Sequence, residues 1–217
     1  MRGRKLCGMT LVAVVGLCLG ASNAAAASKL TLEANGAVLP VGAPIEAVNT
    51  TPWEIRSERG TVTCGYSTMD GTVSNNSKGK PMIELASNTV EGELGNPICG
   101  STFAPPLDEA VVAREGTVPW TMKFIKKNTL ASVAQKLEWK VKPPEPPKSP
   151  HPAIGCKFGY STIKGTFPTN GEPLDVAFNS PLGSKANSAA QCNTSHPVLV
   201  VTFRFTSNGF PVSAVYR

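Results

Sequence analysis

Gly65-Tyr66-Ser67-Thr68-Met69-Asp70-Gly71-Thr72-Val73 follows Cys64. It is answered, with two residues between it and Cys156, by Gly159-Tyr160-Ser161-Thr162-Ile163-Lys164-Gly165-Thr166-Phe167. Six of the nine aligned positions are identical, and Met69/Ile163 and Val73/Phe167 are apolar in both copies. Further landmarks recur in the same order: Gly79-Lys80-Pro81 with Gly171-Glu172-Pro173, then Thr121-Met122-Lys123-Phe124 with Thr202-Phe203-Arg204-Phe205. Ordered landmarks at unequal spacing read as a duplicated supersecondary unit with loop insertions.

Working outward, apolar and polar residues alternate. Val62, Cys64 and Tyr66 are expected on one face, as are Trp120, Met122 and Phe124, then Leu137, Trp139 and Val141, and Leu199, Val201, Phe203 and Phe205. A period of two marks half-buried antiparallel strands. Asn35-Gly36, Asn170-Gly171 and Asn208-Gly209 are hairpin formers, because both residue types accept positive φ. Residues 107–114 invite a turn or two of helix, starting near Asp108-Glu109; Leu130 to Leu137 has helix-forming alanines and a Gln, but the alternation through Val141 favours strand there. The expected fold is all-β and antiparallel: a two-sheet sandwich, or two small abutting β units arising from the internal duplication.

The ends of the chain suggest its destination. Arg2, Arg4 and Lys5 precede an apolar run from Leu6 to Leu19 and small residues through Ala27, the layout of a secretory signal over 1–27. The expected organisation is then β unit A over 28–142, a proline-rich linker over 143–152 and β unit B over 153–217. The linker holds six prolines in ten residues and favours an extended polyproline II course. Beyond Ala27 no apolar run is long enough to span a bilayer as a helix, so no transmembrane segment is expected in the mature chain.

Removal of 1–27 leaves Cys64, Cys99, Cys156 and Cys192. Four cysteines in an exported chain read as disulfides. Separations of 35 and 36 residues select Cys64–Cys99 and Cys156–Cys192, one bridge per unit. No close C-x2-4-C pair suggests zinc, and no metal or other cofactor is expected.

The full chain of 217 residues carries 21 Lys plus Arg and 15 Asp plus Glu, a formal charge of +6. Without Arg2, Arg4 and Lys5 the charge is +3, which with export argues against a nucleic-acid partner. Charge is uneven: −6 over 30–113, +5 over 114–148 and +3 over 149–217. Lys123, Lys140 and Lys142 fall on outward strand positions and form a candidate face for an anionic cell-envelope polymer; an extracellular protein is the other partner considered.

The pattern resembles small exported β-rich actinobacterial proteins of unknown function. The matching features are Cys64 with Gly71-Thr72, Cys156 with Gly165-Thr166, and the ending from Phe205 to Tyr216. The resemblance implies a secreted or cell-surface location and carries no assigned chemistry.

Catalytic machinery is sparse. The two histidines are His151, in the proline run, and His196 beside Ser195; Asp70, Asp108 and Asp175 are the candidate carboxylates. There is no Gly-x-Ser-x-Gly elbow. Glu84, Glu91 and Glu93 cluster, with Glu91 and Glu93 expected on one strand face; they are the candidates for a carboxylate pair. Asn49-Thr50-Thr51, Asn75-Asn76-Ser77 and Asn193-Thr194-Ser195 fit the glycosylation sequon. The functional expectation is a non-enzymatic, exported β-sheet binding or structural protein at the cell envelope or outside it, with a secreted carboxylate-based hydrolase as the alternative.

Overall fold

The computed structural model describes residues 29–217 except 78, 104–106, 116–118, 127–128, 143–155, 170 and 185–195. The segment 1–27 expected to be a signal, the proline run, His151 and Cys192 lie outside the described residues.

Strand β3 (Pro44–Asn49) runs on into β4 (Trp53–Ser57), and β5 (Gly60–Cys64) runs on into β6 (Tyr66–Asn75). These four pieces make one long hairpin: β4 pairs with β5 and β3 with β6, the register slipping by one residue between them. The slip falls at Gly65, whose N–H donates to Gly92 O (2.8 Å). A Cβ there would lie 2.5 Å from that same oxygen, so only glycine fits. The slip also reverses the side-chain faces. Val62 and Cys64 are buried before it and Ser67, Met69 and Val73 after it, while Tyr66, expected in the inward row, is only half-buried.

The same hairpin step repeats around the molecule. β7 (Met82–Glu91) with β8 (Ile98–Phe103) pairs with β6 and β5. β9 (Leu107–Glu115) with β10 (Trp120–Lys126) pairs with β8 and β7. Strand β11 (Thr129–Lys142) spans both β10 and β9, and β12 (Cys156–Thr166) lies along β11. β13 (Asp175–Pro181) and β14 (Gly183–Ser184) lie along β12, and β15 (Val198–Ser207) along β13. Finally β15 pairs with both β3 and β4, where the path began. Eight antiparallel staves, each hydrogen-bonded to the next, therefore close into an up-and-down ring. In chain order the staves are β3/β4, β5/β6, β7/β8, β9/β10, β11, β12, β13/β14 and β15.

The all-β, antiparallel expectation stands, with closure where a sandwich has two open sheets. The segments 28–142 and 153–217 hydrogen-bond to each other along two borders, β11–β12 and β15–β3/β4. The proline run joins staves five and six. The repeated landmarks occupy corresponding staves: the nine-residue match lies on staves two and six, and the Thr121 and Thr202 tetrapeptides lie on staves four and eight. Residues 107–114, expected to be partly helical, belong to strand β9. Its mixed row of alanines and valines hides the period of two, and pairing with β8 and β11 overrides the local preference.

One end of the ring is covered. The chain leaves β15 through Asn208-Gly209 (φ 51° and 79°) into β16 (Phe210–Tyr216), which pairs with β1 (Leu30–Ala34). β1 turns through Asn35-Gly36 (φ 49° and 75°) into β2 (Ala37–Val38). Both are the turns the Asn-Gly pairs predict, and Gly171 also has positive φ (88°). Leu32, Val212 and Ala214 are fully buried in the same core as the staves. The Asn76 side chain pins this cap: Oδ1 accepts from Leu32 N (2.8 Å), and Nδ2 donates to Leu32 O (2.7 Å) and Leu39 O (2.8 Å).

Outward rows are polar, including Glu54, Arg56, Thr63, Asp70, Thr72, Glu84, Lys164, Thr202 and Arg204, while inward rows are apolar. A lipid-facing barrel has the reverse arrangement. Among the described residues no helix is long and apolar enough to cross a membrane.

Candidate functional site

The interior of an eight-stranded ring is just wide enough for its side chains to fill, or to hold one small ligand. Here it leaves a cavity at mid-height whose wall draws on all eight staves. Trp53 comes from stave one, Trp120 from stave four and Trp139 from stave five; these are the three tryptophans of the chain. They are buried, and Trp53 and Trp139 meet edge to face with ring centroids 5.5 Å apart. Met69 and Met122 add flexible thioethers, and Phe178 and Phe203, themselves edge to face, come from staves seven and eight. The empty space is about 350 Å³ when open solvent at its mouth is counted in, but only about 20 Å³ is open to the centre of a water molecule. That is room for one water, so a larger occupant has to displace wall side chains. The unbranched methionines are the ones best suited to move.

Among the described residues Asn88 is the one strongly polar side chain on this wall apart from the indole N–H groups. It reaches the interior because of a bulge. Asp70 pairs with Ser87 and Gly71 with Leu85, so the register shifts by one residue at Ala86, which brings both Leu85 and Asn88 inward. Its amide is wired into the wall. Nδ2 donates to Thr68 O (2.9 Å) and to Ser67 Oγ (3.3 Å), and Ser67 Oγ–H in turn donates to Thr89 O (2.8 Å). Trp139 Nε1–H donates to Asn88 Oδ1 (3.2 Å).

Above the cavity, Cys64 is bonded to Cys99, as the spacing predicts, tying stave two to stave three. Trp53 faces Cys64 across the first hairpin, so the bridge sits next to the cavity wall. Cys156 is also disulfide-bonded and buried; its expected partner, Cys192, lies outside the described residues.

The other residues singled out in the sequence do not converge. Lys123 pairs with Ala131 on β11, nine residues from Lys140, so the two stand roughly 30 Å apart along the strand at about 3.3 Å per residue. Lys140 and Lys142 lie together towards the far end of β11, opposite Lys157 and Val111. Glu84 is exposed in mid-strand on the outer wall. Strand β7 ends at Glu91, whose Oε2 accepts from Gly95 N (2.8 Å), and Glu93 belongs to the following turn, so these two do not share a strand face. Asp175 makes a two-pronged pair with Arg204 on the outer wall (2.8 Å each), and this hydrogen bond and charge raise the guanidinium pKa further. Asp70 accepts from Ser87 Oγ (2.6 Å). His196 is exposed with φ 61°; Ser195 and His151 lie outside the described residues. Among the described residues no cluster of His, Cys, Asp and Glu has the makings of a metal site.

Two of the sequons are occupied by structure. Asn49 Nδ2 donates to Thr51 O (2.8 Å) and Gly65 O (2.9 Å), and Oδ1 accepts from Ser67 N (2.7 Å). Asn75 Nδ2 donates to Lys80 O (3.1 Å), and Oδ1 accepts from Ser77 N (2.9 Å). Asn193 lies outside the described residues.

Neither a protein family, nor a curated protein, nor a solved structure matches this chain.

Proposed function

We propose that the chain is an exported binding protein, built by duplication of a four-stave unit, that takes one small and mainly apolar ligand in the middle of its barrel. The observation that carries this reading is the convergence of all three tryptophans on one cavity fed by every stave. Large aromatic walls with one placed polar group are how small-molecule sites are built. Export rests on the N-terminal sequence pattern and fits the Cys64–Cys99 bridge and the polar outer wall.

Duplication rests on glycines that do the same job twice. A Cβ on Gly71 would run into Glu84 O of the next stave, and one on Gly165 would lie 3.0 Å from Ala177 O of its next stave. Gly65 sits against Gly92 and Gly159 pairs with Gly183. The repeated units are then staves one to four and five to eight, with the proline run inside the second.

The cavity reading is tested by following tryptophan emission and the thermal midpoint while a set of small aromatic compounds is added to the folded, oxidised protein. A ligand present at a hundred times its Kd stabilises by about 2.7 kcal/mol, enough to raise the midpoint by several degrees. The expected outcome is a saturable change in both signals for at least one compound. Neither signal changing for any of them would return the interior to an inert core.

A further inference from the structure

We infer that the ligand of this cavity is an uncharged ring compound with a single hydrogen-bond donor, a phenol-like or indole-like molecule received by Asn88 Oδ1; this rests on the binding function proposed above. The orientation of the Asn88 amide is fixed by its neighbours. Turning it over would set Oδ1 against Thr68 O, acceptor to acceptor, and Nδ2 against Trp139 Nε1–H, donor to donor. In the orientation that remains, the two N–H groups are used by Thr68 O and Ser67 Oγ, and Oδ1 takes one bond from Trp139. A carboxamide oxygen accepts two hydrogen bonds. Among the described residues one acceptor position is therefore left, and Oδ1 is the only strong side-chain acceptor on the wall they form.

Charge follows from the same wall. None of the residues described as lining the cavity is charged, and an ion buried without a counter-ion or full hydrogen bonding is strongly disfavoured. A carboxylate or an ammonium is excluded on that ground. The ring follows from the wall: indoles of Trp53, Trp120 and Trp139 and phenyl rings of Phe178 and Phe203 distributed around it favour edge-to-face and offset contacts with a flat occupant. Met69 and Met122 have to swing aside to admit it.

The experiment compares phenol, toluene and benzoate on the unaltered protein, read by the tryptophan emission and the thermal midpoint. Phenol and toluene match in shape and differ in the donor; benzoate carries the charge. Phenol should bind at least about threefold more tightly than toluene, the effect of one net hydrogen bond, and benzoate should not bind. Toluene binding as tightly as phenol overturns the donor assignment, and benzoate binding as tightly overturns the neutral one; in both cases the cavity reading survives. Silence from all three, and from the wider set above, removes the cavity reading and this inference with it. Asn88→Leu, in protein shown by circular dichroism to be folded, should abolish the preference for phenol over toluene, and a preference that persists overturns the assignment. Met69→Ala should tighten toluene and phenol alike by enlarging the space, and unchanged binding of both would overturn the role given to the methionine.

Discussion

Single residues decide where this wall bends. Gly92 is the most confined: a Cβ there would fall on the Ile98 carbonyl, within the turn that separates β7 from β8. Gly71 is held in the same way by Glu84 O. Gly95 differs, having positive φ (79°) but open space around it. The Gly92→Ala change should therefore cost on the order of 2–4 kcal/mol, since backbone has to move, and Gly95→Ala about 1–2 kcal/mol, the cost of a left-handed conformation alone. Urea midpoints of the two variants check the order, and equal losses would mean that the turn yields freely. The glycine at 71 was visible in the sequence because its nine-residue stretch is repeated; the need for glycine at 92 was not, because it arises from a chain crossing that only the fold creates.

At the scale of elements, the alternating rows were legible wherever one face is buried and the other wet. Trp120, Met122 and Phe124 are buried as the alternation predicts, and so are Leu199, Val201, Phe203 and Phe205. Legibility failed at bulges. The slip at Gly65 turned Tyr66 out of the expected row, and the register shift at Ala86 brought Asn88 into the interior from what reads as a polar stretch, Ser87-Asn88-Thr89. The polar anchor of the candidate site was for that reason not recoverable from periodicity. The three tryptophans were each assignable to a strand, but their meeting depends on ring closure, which no local pattern encodes. The disulfide was legible from spacing alone. Replacing Cys64 and Cys99 together by Ala should lower stability by about 2–4 kcal/mol, because the bridge closes a separation of 35 residues in the unfolded chain. Because Trp53 lies opposite Cys64, the same variant should also shift the tryptophan emission of the folded state. A folded variant with unaltered stability would show that the pairing of β5 with β8 holds this region unaided.

For the whole molecule, closure has a consequence that two abutting units would not share. A ring has no free seam: removing staves six to eight would expose β11 along one border and β3/β4 along the other, and neither piece retains a complete interior. The tryptophans report on this directly, since all three belong to staves one, four and five and none to staves six to eight. Tryptophan emission thus follows the cavity, whose wall draws on both segments, whereas far-UV circular dichroism follows every strand. If the walls unfold as one body, the two signals should fall together in urea with the same midpoint and the same slope, the mark of a two-state transition. If 28–142 and 153–217 were separately stable, the two curves would part or resolve into more than one step. The thioether and indole wall supplies the complementary control: a compound bound in the cavity touches staves from both segments, so it should move both curves by the same amount, and a shift confined to the emission would confine the site to the first segment alone.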